Sequence, residues 1–304
     1  DAEEGKPAPS YYTIVLELYE LLVHAIIRPP RFNYEDRLLG PSSFAFCGVR
    51  CHRTDITLVN ARGERLMCSH WTHADGGNAR RPCIVFMHAN SASRIQAVHY
   101  LSLVLSIGAT LFAFDCAGSG LSDGDFVTLG WRESEDLMVV LCHLRAQASV
   151  AQLAVWGASM GAAASIFYQA RGAAATPPWP QVDAAVLDSP YPDFTQLAHH
   201  LVSKRQFGGF TLPSGLVSVV LGMLESSVEK SAKFSIQWLT PITYVDRCWA
   251  PALFMLADHD PLITMQHIET LAKNYSGPRT LAMVAGNHSS PRNRAAREFV
   301  MRFL

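Results

Sequence analysis

The residues with the clearest chemical potential are Gly157-Ala158-Ser159-Met160-Gly161. They follow a short apolar, strand-like run, Gln152 to Trp156, and lead into an alanine-rich, helix-like segment. A sharp strand-to-helix turn lifts its serine above the sheet, and the flanking glycines leave room where a Cβ would collide with neighbouring elements. A serine hydroxyl is a poor nucleophile near neutral pH. It needs a base within hydrogen-bond reach, and the base needs an orienting carboxylate. For a turn of this kind the acid and then the histidine follow downstream. The acid is expected just after a late strand, where Ala252 to Asp260 offers Asp258 and Asp260. Asp260 is the preferred acid, because Ala257 then supplies the small residue three positions before it. Asp258 is left as a turn residue. The base is expected after the last strand, and Gly286-Asn287-His288 follows the run Leu281 to Val284. Of the twelve histidines, His259, His267, His199 and His200 are the nearest rivals, and none lies after the final strand.

Acyl transfer through such a serine also needs two donors for the developing oxyanion. One is expected from Met160 N–H, at the start of the helix after the nucleophile. The other is expected from the loop after the run Cys83 to Met87, which reads His88-Ala89-Asn90-Ser91. Asn90 N–H is the first choice and Ser91 the alternative, with His88 shaping the loop. The glycine-rich stretch Asp115 to Ser122 lacks the lysine of a phosphate loop and the spacing of a dinucleotide fingerprint, so it reads as a structural turn. His70 and His73 fall at a strand end, outside a helical metal motif, so no metal is assigned and no cofactor is required.

The elements that must hold these residues have a recognisable rhythm. Short apolar runs recur at Cys83 to Met87, Thr110 to Phe114, Gln152 to Trp156, Val182 to Leu187, Ala252 to Leu256 and Arg279 to Val284. Helix-like segments fall near Arg94 to Ile107, Trp131 to Ala146, Met160 to Arg171, Met265 to Asn274 and Asn293 to Phe303. That alternation predicts an α/β fold with a mostly parallel sheet covered by helices on both faces. Ahead of it, Val49 to Val59 and Glu64 to Thr72 flank Asn60 to Gly63 and predict an antiparallel hairpin at the sheet edge. Arg31 to Phe46 reads as irregular, and Gly172 to Pro180 as a surface loop. The long interval between Leu187 and Ala252, with helical patterns at Phe194 to Leu201 and Pro213 to Lys230, predicts a small inserted helical cap over about 191–249. The domain reading is therefore an N-terminal helix and tail, 1–30, before a catalytic domain, 31–304.

Of the 304 residues, 49% are apolar and 17% charged, with a formal net charge of −1. No basic patch argues for nucleic acid. The seven cysteines are odd in number and irregularly spaced, which reads as free thiols in a reducing, cytoplasmic compartment. Tyr11 to Ile27 is apolar but interrupted by Glu17, Glu20 and His24 at helical spacing, so it predicts an amphipathic helix and no membrane span. Packing on the catalytic domain is its simplest role. Peripheral contact with a membrane surface or a partner is the other reading. Pro29-Pro30 ends it. The sequence does not give an oligomeric state.

Beyond single motifs, the chain resembles a family of plant and protist serine α/β-hydrolases, related to the esterase- and lipase-like and serine peptidase-like branches of that superfamily. The likeness is carried by Ile27 to Arg31, His88 to Arg94, Asp115 to Gly124, Leu129 to Arg132, Gly157 to Gly161, Leu187 to Tyr191 and Gly286 to Pro291, and it spans about residues 27–304. It implies the α/β-hydrolase fold and a triad of Ser159, Asp260 and His288. The family usually has glycine where this chain has Ala89, and often arginine where it has Ala158. A positive φ at Ala89 would strain the oxyanion loop. The function expected is carboxylic ester hydrolysis through an acyl-enzyme. The substrate is a small-molecule ester, and the shortness of the cap favours a small or short acyl group. A thioesterase or lipase acting on lipids or acylated proteins is the alternative, then a serine peptidase, and last a non-catalytic binding module.

Overall fold

The computed structural model describes residues 19–304 apart from 21–22, 25, 75–78, 199–205, 208–209 and 212–213. Among these residues, strands β1 (Ser43–Phe46), β2 (Val49–Val59), β3 (Arg65–His73), β4 (Arg81–Met87), β5 (Thr110–Phe114), β6 (Val150–Ala158), β7 (Ala184–Asp188), β10 (Ala252–Ala257) and β11 (Arg279–Val284) form one sheet. A two-strand pairing of β8 (Gln206–Phe207) with β9 (Phe210–Thr211) stands apart from it. The order in the large sheet is β1-β2-β3-β5-β4-β6-β7-β10-β11. Pairing is antiparallel from β1 to β5 and parallel from β5 onward.

Side chains on a strand alternate between faces, so a strand buried on both sides must be apolar throughout. In β4, Cys83, Val85 and Met87 enter one core and Ile84 and Phe86 the other. Helices α1 (Val98–Ser106), α2 (Glu133–Arg145), α3 (Met160–Ala174), α4 (Ser214–Ala232), α5 (Met265–Asn274) and α6 (Arg294–Phe303) cover the two faces. Tyr100 and Val104 of α1 pack with Ala296 and Val300 of α6 on one face. The α2 and α3 side chains Leu137, Leu141, Ala164 and Tyr168 pack on the other. The doubly covered parallel sheet expected from the alternating runs is thus present.

Two local expectations need correction. Arg31 to Phe46 is not wholly irregular: Asp36–Leu39 makes a single tight helical turn, and β1 pairs outside β2. The predicted hairpin therefore sits one strand in from the edge. Four residues with two half-buried phenylalanines are too short a pattern to stand out as a strand. The Ala/Pro-rich stretch begins as helix, because α3 runs on through Gly172 to Ala173 and Ala174, and alanine is the strongest helix former.

Between β7 and β10 the chain carries a helical segment from Phe194 as far as Ala198, then α4, then three short helical turns. The expected helix end at His199 to Leu201 lies outside the described residues. On α4, Leu221, Leu224, Val228 and Ala232 recur at helical spacing and are buried in one core, while Val219 and Met223 are exposed. Of the N-terminal helix, Tyr11 to Leu18 lies outside the described residues. Tyr19, Glu20, Val23, His24, Ile26 and Ile27 are helical. Val23 and Ile27 are buried in the α4 core, and Glu20 and His24 are exposed. The Tyr19 hydroxyl donates to Met223 O at 2.7 Å and lies 2.6 Å from Ser227 Oγ. No helix of the described residues is long and apolar enough to cross a membrane.

Candidate active site

Parallel strands put all their C-terminal ends on one side of the sheet. β4, β6, β7, β10 and β11 deliver there the loops that begin at His88, Ser159, Ser189, Asp258 and Ala285. Ser159 sits between β6 and α3 with φ 50° and ψ −109°, a left-handed conformation that costs a non-glycine residue on the order of 1–3 kcal/mol. The turn holds because Ser159 N–H donates to Asp188 O at 2.7 Å, and Ser159 O accepts from Ala162 and Ala163 N–H. Both glycines of the motif are sterically required. A Cβ on Gly157 would overlap the Gly161 carbonyl, and one on Gly161 would overlap the Met87 carbonyl at the end of β4.

The three residues singled out as a triad lie in one hydrogen-bonded line. His288 Nδ1 is 2.6 Å from Asp260 Oδ2, and His288 Nε2 is 2.9 Å from Ser159 Oγ. A carboxylate only accepts, so Nδ1 carries the proton and donates, leaving the Nε2 lone pair to accept from the serine hydroxyl. The Asp260 side chain is fully buried. Its other oxygen accepts from Leu262 and Ile263 N–H, both at 2.9 Å. Burial pushes its pKa up, but the bonds from His288, Ile263 N–H and Leu262 N–H outweigh burial and hold it below the usual carboxylate range.

Asp258, expected to be a turn residue, also ties two loops together. Its Oδ1 accepts from Gly286 N–H at 2.9 Å and from His259 Nδ1 at 2.7 Å. The His259 bond and then the Gly286 bond hold its pKa low. Among the rival histidines, His259 is occupied by Asp258, and His267 caps α5 by accepting from Thr264 N–H. His199 and His200 lie outside the described residues. His70 is buried with Nε2 3.1 Å from Thr110 Oγ1, and His73 Nε2 is 3.1 Å from Ala109 O.

The donor loop after β4 is accounted for atom by atom. Ala89 N–H donates to Gln96 Oε1 at 2.9 Å, Ser91 N–H to Asn90 Oδ1 at 3.0 Å, and Ala92 N–H to Ala89 O at 3.1 Å. Asn90 N–H has no partner among the described residues. Met160 N–H, in the first turn of α3, has none either, as expected of a helix start. Asn90, Ser159, Met160 and His288 line the same cavity. The left-handed residue of this loop is Ser91, φ 60°, and not Ala89. The strain considered at Ala89 is therefore absent there, and the missing glycine costs nothing at that position.

The remaining motif residues build the frame. His88 is fully buried; its Nδ1 lies 2.8 Å from Ala89 O, and its Nε2 accepts from Cys116 N–H at 3.1 Å. That arrangement needs the neutral ring, and burial lowers its pKa accordingly. Asp115 accepts from Arg94 N–H, Leu121 N–H and the Tyr34 hydroxyl. It is a scaffold for the turn, as the sequence implied.

One pair escaped the sequence reading. Asp188, at the end of β7, and Arg292, after the His288 loop, form a buried two-pronged ion pair at 2.6 and 2.7 Å. Arg292 also donates to Asn287 O, next to His288, at 3.0 Å. Asp188 O holds Ser159 N–H, so the pair joins the serine turn to the histidine loop. An interaction 104 residues apart leaves no local pattern to read.

The fold thus assembled is the α/β-hydrolase fold. No family model matches the chain. A relative of it is the uncharacterized protein YqkD of Bacillus subtilis (strain 168), 26% identical over 258 residues, which make up 83% of this chain and 79% of that protein. Among solved structures, the Pyrococcus furiosus esterase Pf2001 superposes with a TM-score of 0.64 at 20% identity, over 92% of this chain and 97% of that one. An acetyl xylan esterase from Paenibacillus sp. R4 superposes with 0.62 at 14% identity, over 93% and 98%.

Proposed function

We propose that the chain is a serine hydrolase that cleaves carboxylic esters through an acyl-enzyme, in line with the motifs it shares with plant and protist serine α/β-hydrolases. The observation that carries this reading is the line Asp260–His288–Ser159, at 2.6 and 2.9 Å, with the serine on a strained turn. The esterase names of its structural neighbours support the same reading. His288 Nε2 takes the Ser159 proton as Oγ attacks the ester carbonyl. The tetrahedral oxyanion accepts from Asn90 and Met160 N–H. As it collapses, His288 gives the proton to the leaving alkoxide, and the alcohol departs. Water, deprotonated by His288, then attacks the acyl carbonyl; collapse returns the proton to Ser159 and releases the acid. Asp260 holds the imidazole tautomer throughout. No cofactor enters, and the substrate is a small-molecule ester. The segment about 191–249 acts as a cap over the cavity, and the N-terminal helical residues Tyr19, Val23 and Ile27 pack against it.

A thioesterase or lipase reading uses the same atoms, and the apolar part of the cavity favours it over a peptidase. A fluorophosphonate should label the protein once, at Ser159, and Ser159→Ala should lose turnover on the order of 10⁶-fold. Labelling that persists in Ser159→Ala would sink the assignment.

A further inference from the structure

The cavity at Ser159 has two kinds of wall. Near His288 it is polar, with Asn90, Ser289, Ser290 and Arg292. A second wall is apolar, with Leu221 and Leu224 of α4, Phe194, Ile263, Leu129 and Ile26, and the Tyr191 hydroxyl beside it donates to Leu129 O at 2.6 Å. Its volume is about 660 Å³, well inside the roughly 300–1,000 Å³ range of sites that enclose a drug-sized ligand. An acetyl group would leave most of it unfilled.

Ile26 belongs to the N-terminal helical segment, and that segment is anchored on both sides of it. The Tyr19 hydroxyl bonds to α4, and Ile27 O accepts from Val127 N–H at 2.9 Å. The apolar wall is therefore shared between the N-terminal segment and α4. Its six side chains offer no hydrogen-bonding group. A sugar or peptide placed there would leave its polar groups unsatisfied, whereas an alkyl chain would not. During turnover the alcohol leaves while the acyl group stays bonded to Ser159, so the acyl part is the one that needs a resident site.

We infer that this apolar wall, Leu221 and Leu224 of α4 with Ile26 of the N-terminal segment, is an acyl-chain site, and that the substrate carries an unbranched aliphatic acyl chain of medium or greater length. The inference rests on the reading of Ser159 as nucleophile. The shortness of the inserted segment suggested a short acyl group; the volume and lining of the cavity argue for a longer one. Covering a methylene with apolar wall is worth about fourfold in affinity, so the preference should climb by steps.

The test uses the full chain and p-nitrophenyl esters from acetate to palmitate, which vary the acyl group at constant leaving group. We expect kcat/KM to peak at octanoate or longer, at about tenfold or more above acetate. Leu224→Trp and, at a less buried position, Ile26→Trp should each lower the ratio of the best ester to acetate by about tenfold. A preference for acetate in the unmodified protein overturns the inference, as does an equal loss at every chain length in the folded variants. Fluorophosphonate labelling separates the two levels. A labelled, acetate-preferring enzyme overturns the acyl site alone; a protein that neither labels nor hydrolyses any ester overturns the hydrolase reading and the acyl site with it.

Discussion

At Asp260, burial and hydrogen bonding pull in opposite directions, and the balance is readable in two experiments. Asp260→Asn keeps the shape but reverses the donor pattern facing His288, so kcat should fall by about 10⁴-fold. Asp258→Asn, whose partners are Gly286 N–H and a solvent-facing histidine, should be mild by comparison. Reversed effects would exchange the two aspartates. The depressed pKa also has a sign in stability. A carboxyl that titrates lower when folded stabilises the protein above its unfolded pKa, and loses that contribution as pH falls through the folded value. The gap in Tm between the parent and Asp260→Asn should therefore narrow as pH falls through and below the usual carboxylate range. A gap that widens on acidification contradicts the assigned shift. At Arg292, lysine keeps the charge but not the planar fork that grips Asp188 while reaching Asn287 O. Arg292→Lys should lower kcat on the order of 10–100-fold with a smaller change in KM, because the two loops lose their common anchor. Parent-like kcat would leave the ion pair a purely structural feature. The sequence pointed to Ser159, Asp260 and His288 because each follows a strand end and has a local context. It gave no hint of Arg292, a loop residue whose partner ends a distant strand, nor of the second task of Asp258.

Strand–turn–helix units hold the proposed site, and α3 and β4 meet there through backbone. Gly161 lies against the Met87 carbonyl, so α3 and β4 meet without a side chain between them. Gly161→Ala should destabilise by about 1–3 kcal/mol through overpacking and slow fluorophosphonate labelling as well, since the same displacement moves Met160 and the donor loop after β4. Lower Tm with unchanged labelling would show that the strand yields and the turn does not. This scale was also the most legible one. Runs such as Cys83 to Met87 are apolar at every position because both faces are covered, and helices of ten or more residues repeat their buried positions. β1 was missed because four half-exposed residues carry neither signal. The Ala/Pro-rich stretch is misleading because Ala173 and Ala174 extend α3 ahead of its first proline.

For the molecule as a whole, the arrangement of strands sets when the site comes into existence. Ser159 and His288 are 129 residues apart, and β4 pairs with β6 across the intervening α1, β5 and α2. Of the five parallel pairings, those of β4 with β6 and of β7 with β10 are of this distant kind, and they form slowly because each must first close a long loop. Helices α2 and α3 need only local contacts and can form much earlier. The hydrogen-bonded line of Asp260, His288 and Ser159 closes only after β10 and β11 have joined the sheet. In refolding from denaturant, far-ultraviolet circular dichroism should recover before the capacity to react with a fluorophosphonate, and the lag should match the slowest folding phase. Simultaneous recovery of both signals would mean that the sheet forms in one step. If the lag is found, labelling at Ser159 is a clock for the last event in folding, and on the proposed function a partly folded chain is a harmless one, because the site does not exist until the sheet is complete.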